Sequence, residues 1–282
     1  MRYLVCFIWS CYVFVPATSR AGEQVVAARP DRSEVAPLTV AHRGLLKHAP
    51  ENTLANFRAC LELRMGFEFD VQRTRDGHLV CIHDDTVQRT TDGEGRVIDL
   101  TLAQIRRLDA GRWFSPRFQG AQVPTVDEVL KLVAEYRQHN VLVAVDIKAA
   151  NVARDVAVLA GKHDVLHRLV FIGRTISEPK IRQGIKQASP RAAAATVANN
   201  PGEFAAALKA PHTDWVYVRY LASQQEVAAV HAAGKRVFIA GSSVSGQVPD
   251  NWRRATAAGI DAILTDYPLE LQSAVRSRSL AP

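Results

Sequence analysis

The stretch GFEFDVQRTRDGHLVCIHDD, residues 66–85, decides how the chain folds. It holds two apolar runs of strand length, and between them Asp76-Gly77 is a pair typical of a two-residue hairpin turn. Residues 79–83 are therefore predicted to return antiparallel beside the end of the preceding strand. This makes them the arm of a hairpin and not a further strand of the main sheet.

The remaining apolar runs predict the fold class. The chain has 282 residues, 48% hydrophobic and 22% charged, which is enough for one large core. Counting every apolar run gives nine strands, and setting the hairpin arm aside leaves eight, each parallel strand followed by a helix. Such alternation predicts a (β/α)8 TIM barrel, a fold of about 250 residues. A doubly wound open sheet is the alternative, but the chain has no GxGxxG fingerprint.

Three segments precede or interrupt the barrel. Residues 1–21 carry one early cation, an apolar run and then small residues, which is typical of a secretory signal peptide. The apolar run is shorter than the ~20 residues of a membrane-spanning helix, so an anchor is the weaker alternative. Residues 22–37 are a loose lead to a barrel domain over 38–282. Residues 86–124 exceed a normal connection and predict a small inserted subdomain over the catalytic end of the barrel.

Charge and export indicate the kind of partner. The formal net charge is +7, and loss of Arg2 and Arg20 with the signal peptide would leave +5. Such a surface favours anionic small molecules or peripheral contact with lipid headgroups. The chain has no aromatic-basic stripe or zinc-ligand spacing, which argues against nucleic acid. We expect a periplasmic or secreted protein; the oligomeric state stays open.

Two cysteines, Cys60 and Cys81, would remain after processing. A disulfide is possible in an oxidising compartment. Two separate buried thiols are the preferred interpretation, because no disulfide framework or CxxC motif is present.

Ionisable residues collect at the predicted strand ends. In a TIM barrel the active site forms at the C-terminal ends of the strands. Under a two-residue turn, Asp70 would lie opposite His83 and Glu68 opposite Asp85, each pair on one face. Residues two apart in a strand share a face. One cluster is therefore predicted, and it comprises His42, Glu68, Asp70, His83 and Asp146, with Arg43 and Lys148 at its rim.

The residue types in this cluster suit phosphodiester chemistry. Three carboxylates would repel each other without a cation, and oxygen ligands suit one hard divalent ion, Mg²⁺ or Ca²⁺. Two histidines suit a general base and a general acid, and the side chains of Arg43 and Lys148 suit the binding of an anion. We interpret Asp84, Asp85 and Asp266 as caps or turn residues. Arg89 is interpreted as surface charge on the hairpin.

The same residues lie in motifs that resemble the glycerophosphodiester phosphodiesterase family. The motifs occur in order over roughly residues 38–270, and they are AHRGLLKHAPENT, FEFDVQRTRDGHLVCIHDDTVQRTTDG, LDAGRWFSPRFQGAQVPTVDEVL, VDIK and DAILTDYP. The resemblance implies metal-dependent hydrolysis of a glycerophosphodiester to glycerol 3-phosphate and an alcohol. The roles that it implies are metal ligands at Glu68, Asp70 and Asp146, an acid/base pair at His42 and His83, phosphate contacts at Arg43 and Lys148, and a supporting role for Glu51.

Two departures from the family pattern bear on the substrate. Asp146 stands where the family usually has Glu, so the acid is one methylene shorter, as in the related sphingomyelinase D group. The seventh barrel strand reads VFIAGSS, where the family usually has W-T-V-N. These departures favour, as an alternative, a lysophospholipase D-like activity on lysolipids. A non-catalytic barrel that binds phosphodiesters is a third hypothesis.

Overall fold

The computed structural model describes residues 36–149 and 152–276. The predicted signal peptide and all but the last two residues of the predicted lead lie outside the described residues. Within the described ranges, no helix combines the length and the apolar character needed to cross a bilayer.

In the described part of the chain, nine strands form one sheet, and eight of them close into a parallel barrel, which confirms the predicted (β/α)8 fold. Their bounds are β1 (Leu38–Ala41), β2 (Gly66–Arg73), β3 (Leu79–Cys81), β4 (Val143–Ile147), β5 (Leu169–Gly173), β6 (Ala193–Ala198), β7 (Trp215–Val218), β8 (Arg236–Ile239) and β9 (Ala262–Thr265). The order is β1-β9-β8-β7-β6-β5-β4-β2, and β1 also pairs with β2, which closes the barrel. β3 pairs antiparallel with β2, as predicted for a hairpin arm, and Val80 of β3 also forms an isolated antiparallel bridge with Thr125.

Helices cover the outside of this barrel. Their bounds are α1 (Leu54–Glu62), α2 (Leu102–Ile105), α3 (Val126–Glu135), α4 (Ala153–Lys162), α5 (Arg174–Ser177), α6 (Pro179–Ala188), α7 (Phe204–Lys209), α8 (Gln224–Ala232), α9 (Ser242–Ser245), α10 (Pro249–Ala257) and α11 (Pro268–Arg276). Thr53 caps α1 by accepting a hydrogen bond from the backbone N–H of Asn56. Large apolar side chains lie between the helices and the strands, and Trp252 and Phe57 are fully buried there.

The hairpin turn is one residue longer than predicted. Val71 pairs with Cys81, and Arg73 pairs with Leu79. The backbone N–H of Thr74 then donates to His78 O at 2.9 Å, so that residues 75–77 form a three-residue loop. Gly77 has a φ of 89°, the left-handed conformation that ends such loops.

This register corrects the predicted cross-strand pairs. Asp70 is not opposite His83, and Glu68 is not opposite Asp85, because the extra loop residue shifts the pairing by one. The strand β3 also ends at Cys81, before either residue. Gln72 instead donates its side-chain N–H to His83 O at 3.4 Å and to Asp85 Oδ1 at 3.1 Å.

Alternation along β2 and β4 directs the acidic side chains to the barrel interior. Phe67 and Phe69 belong to the apolar cluster that packs against the helices. Glu68 and Asp70, at the intervening positions, therefore point the other way. On β4, Val145 packs outward and Asp146 inward by the same rule.

Residues 86–124 pack around a small apolar cluster of their own. Val80 and Ile82 of the hairpin arm are joined there by buried side chains of the segment: Val87, Val97, Ile105, Ala110 and Val123. The segment also contains the short helix α2. The segment is thereby fixed to the hairpin at the edge of the barrel.

Cys60 and Cys81 are free thiols. Cys60 lies on α1 and Cys81 on β3, and both are buried in the same apolar cluster. Burial raises the pKa of Cys60 to about 12, so this thiol stays protonated. The preferred interpretation, two separate buried thiols, is confirmed.

Candidate metal and phosphodiesterase site

Three carboxylates meet at the C-terminal ends of two neighbouring strands. Asp70 of β2 is paired in register with Asp146 of β4, and Glu68 lies two residues earlier on the same face of β2. One oxygen from each carboxylate lies within 4.8 Å of the other two. Glu68 and Asp70 are each only 1% exposed. The barrel thus brings three acidic groups together, two of them in a place that water scarcely reaches.

The charges in this cluster are only partly compensated. Burial raises the pKa of Glu68, and Asp70 and Asp146 raise it further. Burial works against ionisation of Asp70 too, but Lys148 and Arg43 outweigh it and lower the pKa of that carboxyl. Glu68 Oε1 and Asp146 Oδ1 are buried without a hydrogen-bond partner. Buried carboxylate oxygens of this kind are ordinarily paired with a cation or protonated.

Two cations border the carboxylates. Lys148 Nζ lies 2.9 Å from Asp70 Oδ1 and 3.2 Å from Asp146 Oδ2. Arg43 Nε lies 3.5 Å from Asp70 Oδ2, and the backbone N–H of Arg43 donates to Glu68 Oε2 at 2.9 Å. Arg43 has a φ of 51°, a strained conformation for a residue other than glycine. This conformation directs both its backbone and its side chain at the acidic cluster.

Each predicted catalytic histidine is held by a carboxylate. His42 Nδ1 lies 2.7 Å from Asp266 Oδ1, and His83 Nδ1 lies 2.7 Å from Asp84 Oδ1. His83 is also close enough to Asp70 to interact with it electrostatically. With Nδ1–H donating to the carboxylate, Nε2 of each ring is the nitrogen left to exchange a proton.

The interpretation of Asp84 and Asp266 as caps or turn residues was therefore wrong. Asp266 follows β9 next to the end of β1, so that barrel closure brings it to His42. His42 holds the pKa of Asp266 below its usual range. The adjacency of Asp84 to His83 in sequence was the available signal for the other pair.

Arg89 is a second residue that the sequence analysis misplaced. It is not free surface charge: its Nε donates to Asp84 Oδ2 at 2.6 Å, and its Nη1 donates to Glu51 Oε2 at 2.8 Å. Glu51, expected in a supporting role, also lies 3.2 Å from Arg43 Nη1. Glu51 thus connects Arg43, which lies beside the acidic cluster, with Arg89, which holds Asp84.

Asn52 was missed as a neighbour of the acidic cluster. Its side-chain N–H donates to Asp70 Oδ2 at 2.8 Å, and its Oδ1 accepts from the backbone N–H of Asp70 at 3.2 Å. The residue has a φ of 54°. It fixes one oxygen of Asp70 and leaves the other to face the cluster.

A glycine on the next strand makes room for Asp146. Gly173 ends β5 with a φ of 68°, and a Cβ built on it would lie 2.0 Å from Asp146 Oδ1. Any other residue would therefore displace this carboxylate.

The residues present fit a hard divalent cation. Three convergent carboxylates supply oxygen ligands, two of their buried oxygens have no other partner, and like charges raise the pKa of Glu68. Nitrogen or sulfur donors that would favour a softer metal are absent from the three-residue set.

A cavity of about 420 Å³ opens beside Asp146 and Lys148. It extends along the ends of β5, β6 and β7, and its wall includes Ile172, Asn199 and Arg219. The acidic cluster therefore adjoins a space large enough for a small organic molecule.

Comparison with known proteins places this site in a family. The model of the glycerophosphoryl diester phosphodiesterase family matches residues 42–270, which include all eight predicted site residues. The chain belongs to this family.

One curated relative is a glycerophosphodiester phosphodiesterase of Caldanaerobacter subterraneus subsp. tengcongensis. It is 50% identical over 113 residues, which are 40% of this chain and 45% of that protein. A glycerophosphodiester phosphodiesterase of Bacillus subtilis is 40% identical over 46% of each chain. The chain thus spans less than half the length of these curated relatives.

Solved structures of the family share the fold over most of the barrel. A glycerophosphodiester phosphodiesterase from Agrobacterium tumefaciens has a TM-score of 0.72 at 26% identity, covering 84% of this chain and 99% of that one. An Oleispira antarctica phosphodiesterase in complex with the product sn-glycerol-3-phosphate has a TM-score of 0.70 at 24% identity, covering 87% and 99%.

Proposed function

We propose that the protein hydrolyses glycerophosphodiesters to glycerol 3-phosphate and an alcohol. The observation that carries this proposal is the pair of histidines, each fixed through Nδ1 by a carboxylate, beside three carboxylates with unpartnered oxygens. The family membership supports it, as does the glycerol 3-phosphate bound to the Oleispira antarctica relative.

Glu68, Asp70 and Asp146 would hold one divalent cation, Mg²⁺ or Ca²⁺. When bound, the cation supplies positive charge toward the phosphate oxygens and offsets the repulsion among its ligands. Asp146 reaches the cluster although it is one methylene shorter than Glu, because Gly173 leaves space for its carboxylate.

The protein's own cations would orient the phosphate. Arg43 and Lys148 each hold Asp70 from a different side, so both carry their charge to the edge of the acidic cluster. A phosphodiester placed there would receive hydrogen bonds from both side chains. Developing negative charge on its oxygens would be stabilised most strongly in the transition state.

The histidines would carry the protons. The Nε2 of one ring takes a proton from the attacking hydroxyl, either of water or of the glycerol at C2, while the new O–P bond forms. The Nε2 of the other gives a proton to the alcohol oxygen as its bond to phosphorus breaks. Attack by the glycerol hydroxyl would form a cyclic phosphate, which water then opens. Asp266 and Asp84 keep the rings oriented and stabilise each imidazolium.

Alanine substitution of either histidine tests this assignment. His42→Ala and His83→Ala should each lower kcat for glycerophosphoethanolamine by about 100-fold or more, because general acid–base catalysis contributes at least that much. His163→Ala is the matched control, since His163 also pairs with an aspartate, Asp127, at 2.8 Å but lies at the C-terminal end of α4, away from the acidic cluster. Near-normal turnover in both His42 and His83 variants would contradict the assignment.

The products separate the alternatives. Glycerol 3-phosphate released from glycerophosphocholine would support the proposal. Choline released from a lysophospholipid, with no reaction of glycerophosphocholine, would favour the lysophospholipase D-like activity instead. Metal binding without turnover of any diester would favour a non-catalytic binder.

A further inference from the structure

The cavity beside the acidic cluster has a polar wall that the proposed chemistry does not use. Tyr217 is the last residue of β7 that faces the barrel interior. Arg219 lies two residues further along the chain, on the same face. Asn199 has the corresponding position after β6. These side chains line the part of the cavity away from the histidine pairs.

Two arginines reach this wall, and one of them is already neutralised. Arg174 Nε lies 2.6 Å from Glu178 Oε1 in an ion pair. Among the described residues, no acidic side chain lies within ion-pair distance of Arg219. Its Nη1 donates to Asn199 Oδ1 at 3.2 Å, and its guanidinium lies over the Tyr217 ring at 5.9 Å.

Glu203 interacts with Arg219 electrostatically but is held by other partners. The oxygens of Glu203 accept hydrogen bonds from the backbone and side chain of Asn199 and from the side chain of Asn200. Glu203 thereby holds the loop that supports Arg219 without forming an ion pair with the guanidinium.

We propose that this cavity binds the alcohol half of the diester through a negatively charged group on it, a carboxylate or a second phosphate, and that Arg219 determines this preference. The inference rests on the proposed function, because the phosphodiester itself would be held at Arg43 and Lys148. A guanidinium without an ion-pair partner matches either oxyanion. A quaternary ammonium in the same space would face the charges of Arg219 and Lys148.

Two substrates that differ by one carboxylate test the preference. Glycerophosphoserine is glycerophosphoethanolamine with a carboxylate added to the head group. The wild-type chain should have a kcat/KM about fivefold higher for glycerophosphoserine, a ratio expected of one partly exposed ion pair. In Arg219→Gln this ratio should fall to about one, because the carboxylate of glycerophosphoserine then loses its partner.

Arg236→Gln is the matched control for this variant. Arg236 also lies over an aromatic ring of β7, that of Trp215 at 5.4 Å, but it is at the start of β8, the opposite end of the barrel. The control should retain the fivefold ratio. A wild-type ratio of one, or a ratio that Arg219→Gln leaves intact, would overturn the proposal.

A binding measurement separates this inference from the proposed function. Calorimetric titration with O-phosphoserine and phosphoethanolamine requires no turnover. Tighter binding of O-phosphoserine by the wild-type chain, lost in Arg219→Gln, supports the cavity assignment even if no diester is hydrolysed. Equal binding of the two, or binding of neither, contradicts it.

Discussion

At the scale of single residues, the carboxylate of Glu68 is destabilised in its charged form by burial and by its acidic neighbours. Its side chain is buried between Asp70 and Asp146. Burial and these two neighbours raise its pKa, so the folded protein binds its proton more tightly than the unfolded chain does. The stability that protonation contributes is fully present below the unfolded-state pKa near 4.5 and is lost as the pH rises through the folded-state pKa.

Removing this charge should therefore stabilise the metal-free protein. In chelator at pH 7, Glu68→Gln should raise Tm by about 2–4 °C, the shift that about 1 kcal/mol gives in a chain of this size. The gain should shrink as the pH falls toward 4.5. Calorimetric melting at pH 7 and pH 5 measures it, with the exposed Glu62→Gln as control. A lower Tm for Glu68→Gln in chelator at pH 7 would show that the repulsion is absent.

Sequence reasoning found the acidic cluster but not the contacts around it. The alternation along β2 and β4 was enough to direct Glu68, Asp70 and Asp146 to one face. The partner of His42 is Asp266, 224 residues away, and only closure of the barrel brings the two together. Arg89 lies in the irregular segment after the hairpin. No strand or helix periodicity exists there to predict that its side chain points toward Asp84 and Glu51.

At the scale of elements, the neighbouring ends of β4 and β5 determine the position of Asp146. Ile147 and Gly173 are partners in the parallel ladder. A Cβ at position 173 would meet both Asp146 Oδ1 and the backbone N of Ile147. The strand spacing therefore admits the carboxylate only while the facing residue is glycine.

Two glycine substitutions separate this contact from backbone strain. Gly173→Ala should lower kcat by about tenfold or more, because a displacement of about 1 Å at a site can cost 100-fold. Gly234 has a φ of 71°, close to the 68° of Gly173, but a Cβ built on it would have no heavy atom within 4 Å. Gly234→Ala should share the destabilisation caused by the positive φ and keep its activity. Equal activity of the two variants would contradict a positioning role for Gly173.

The elements also show which local signals mislead. Asp76-Gly77 predicted a hairpin correctly, but a three-residue loop uses the same pair at its last two positions. The observed strand register therefore differs from the predicted one by one residue, and the predicted pairing of Asp70 with His83 was wrong. Both residues still reach the site, because the chain beyond Cys81 leaves the ladder.

At the scale of the whole molecule, closure of the barrel is what creates the site. β1 pairs with both β2 and β9, so His42, the acidic cluster and Asp266 all lie at one end of the sheet. The count of parallel strands predicted this closure from sequence. The cavity beyond Asp146 could not be predicted in the same way, because its wall consists of residues that follow four separate strands.

The rate of glycerol 3-phosphate release before and after chelation tests the central claim most directly. The full chain is assayed on glycerophosphoethanolamine, treated with EDTA, and assayed again after addition of Mg²⁺ or Ca²⁺. We expect EDTA to lower the rate by about 100-fold or more, because the buried carboxylates then lose their countercharge and the phosphate its electrostatic partner. One of the two ions should restore the rate, and it should not do so in Glu68→Gln. Full activity in EDTA, or restoration in Glu68→Gln equal to wild type, would contradict the account.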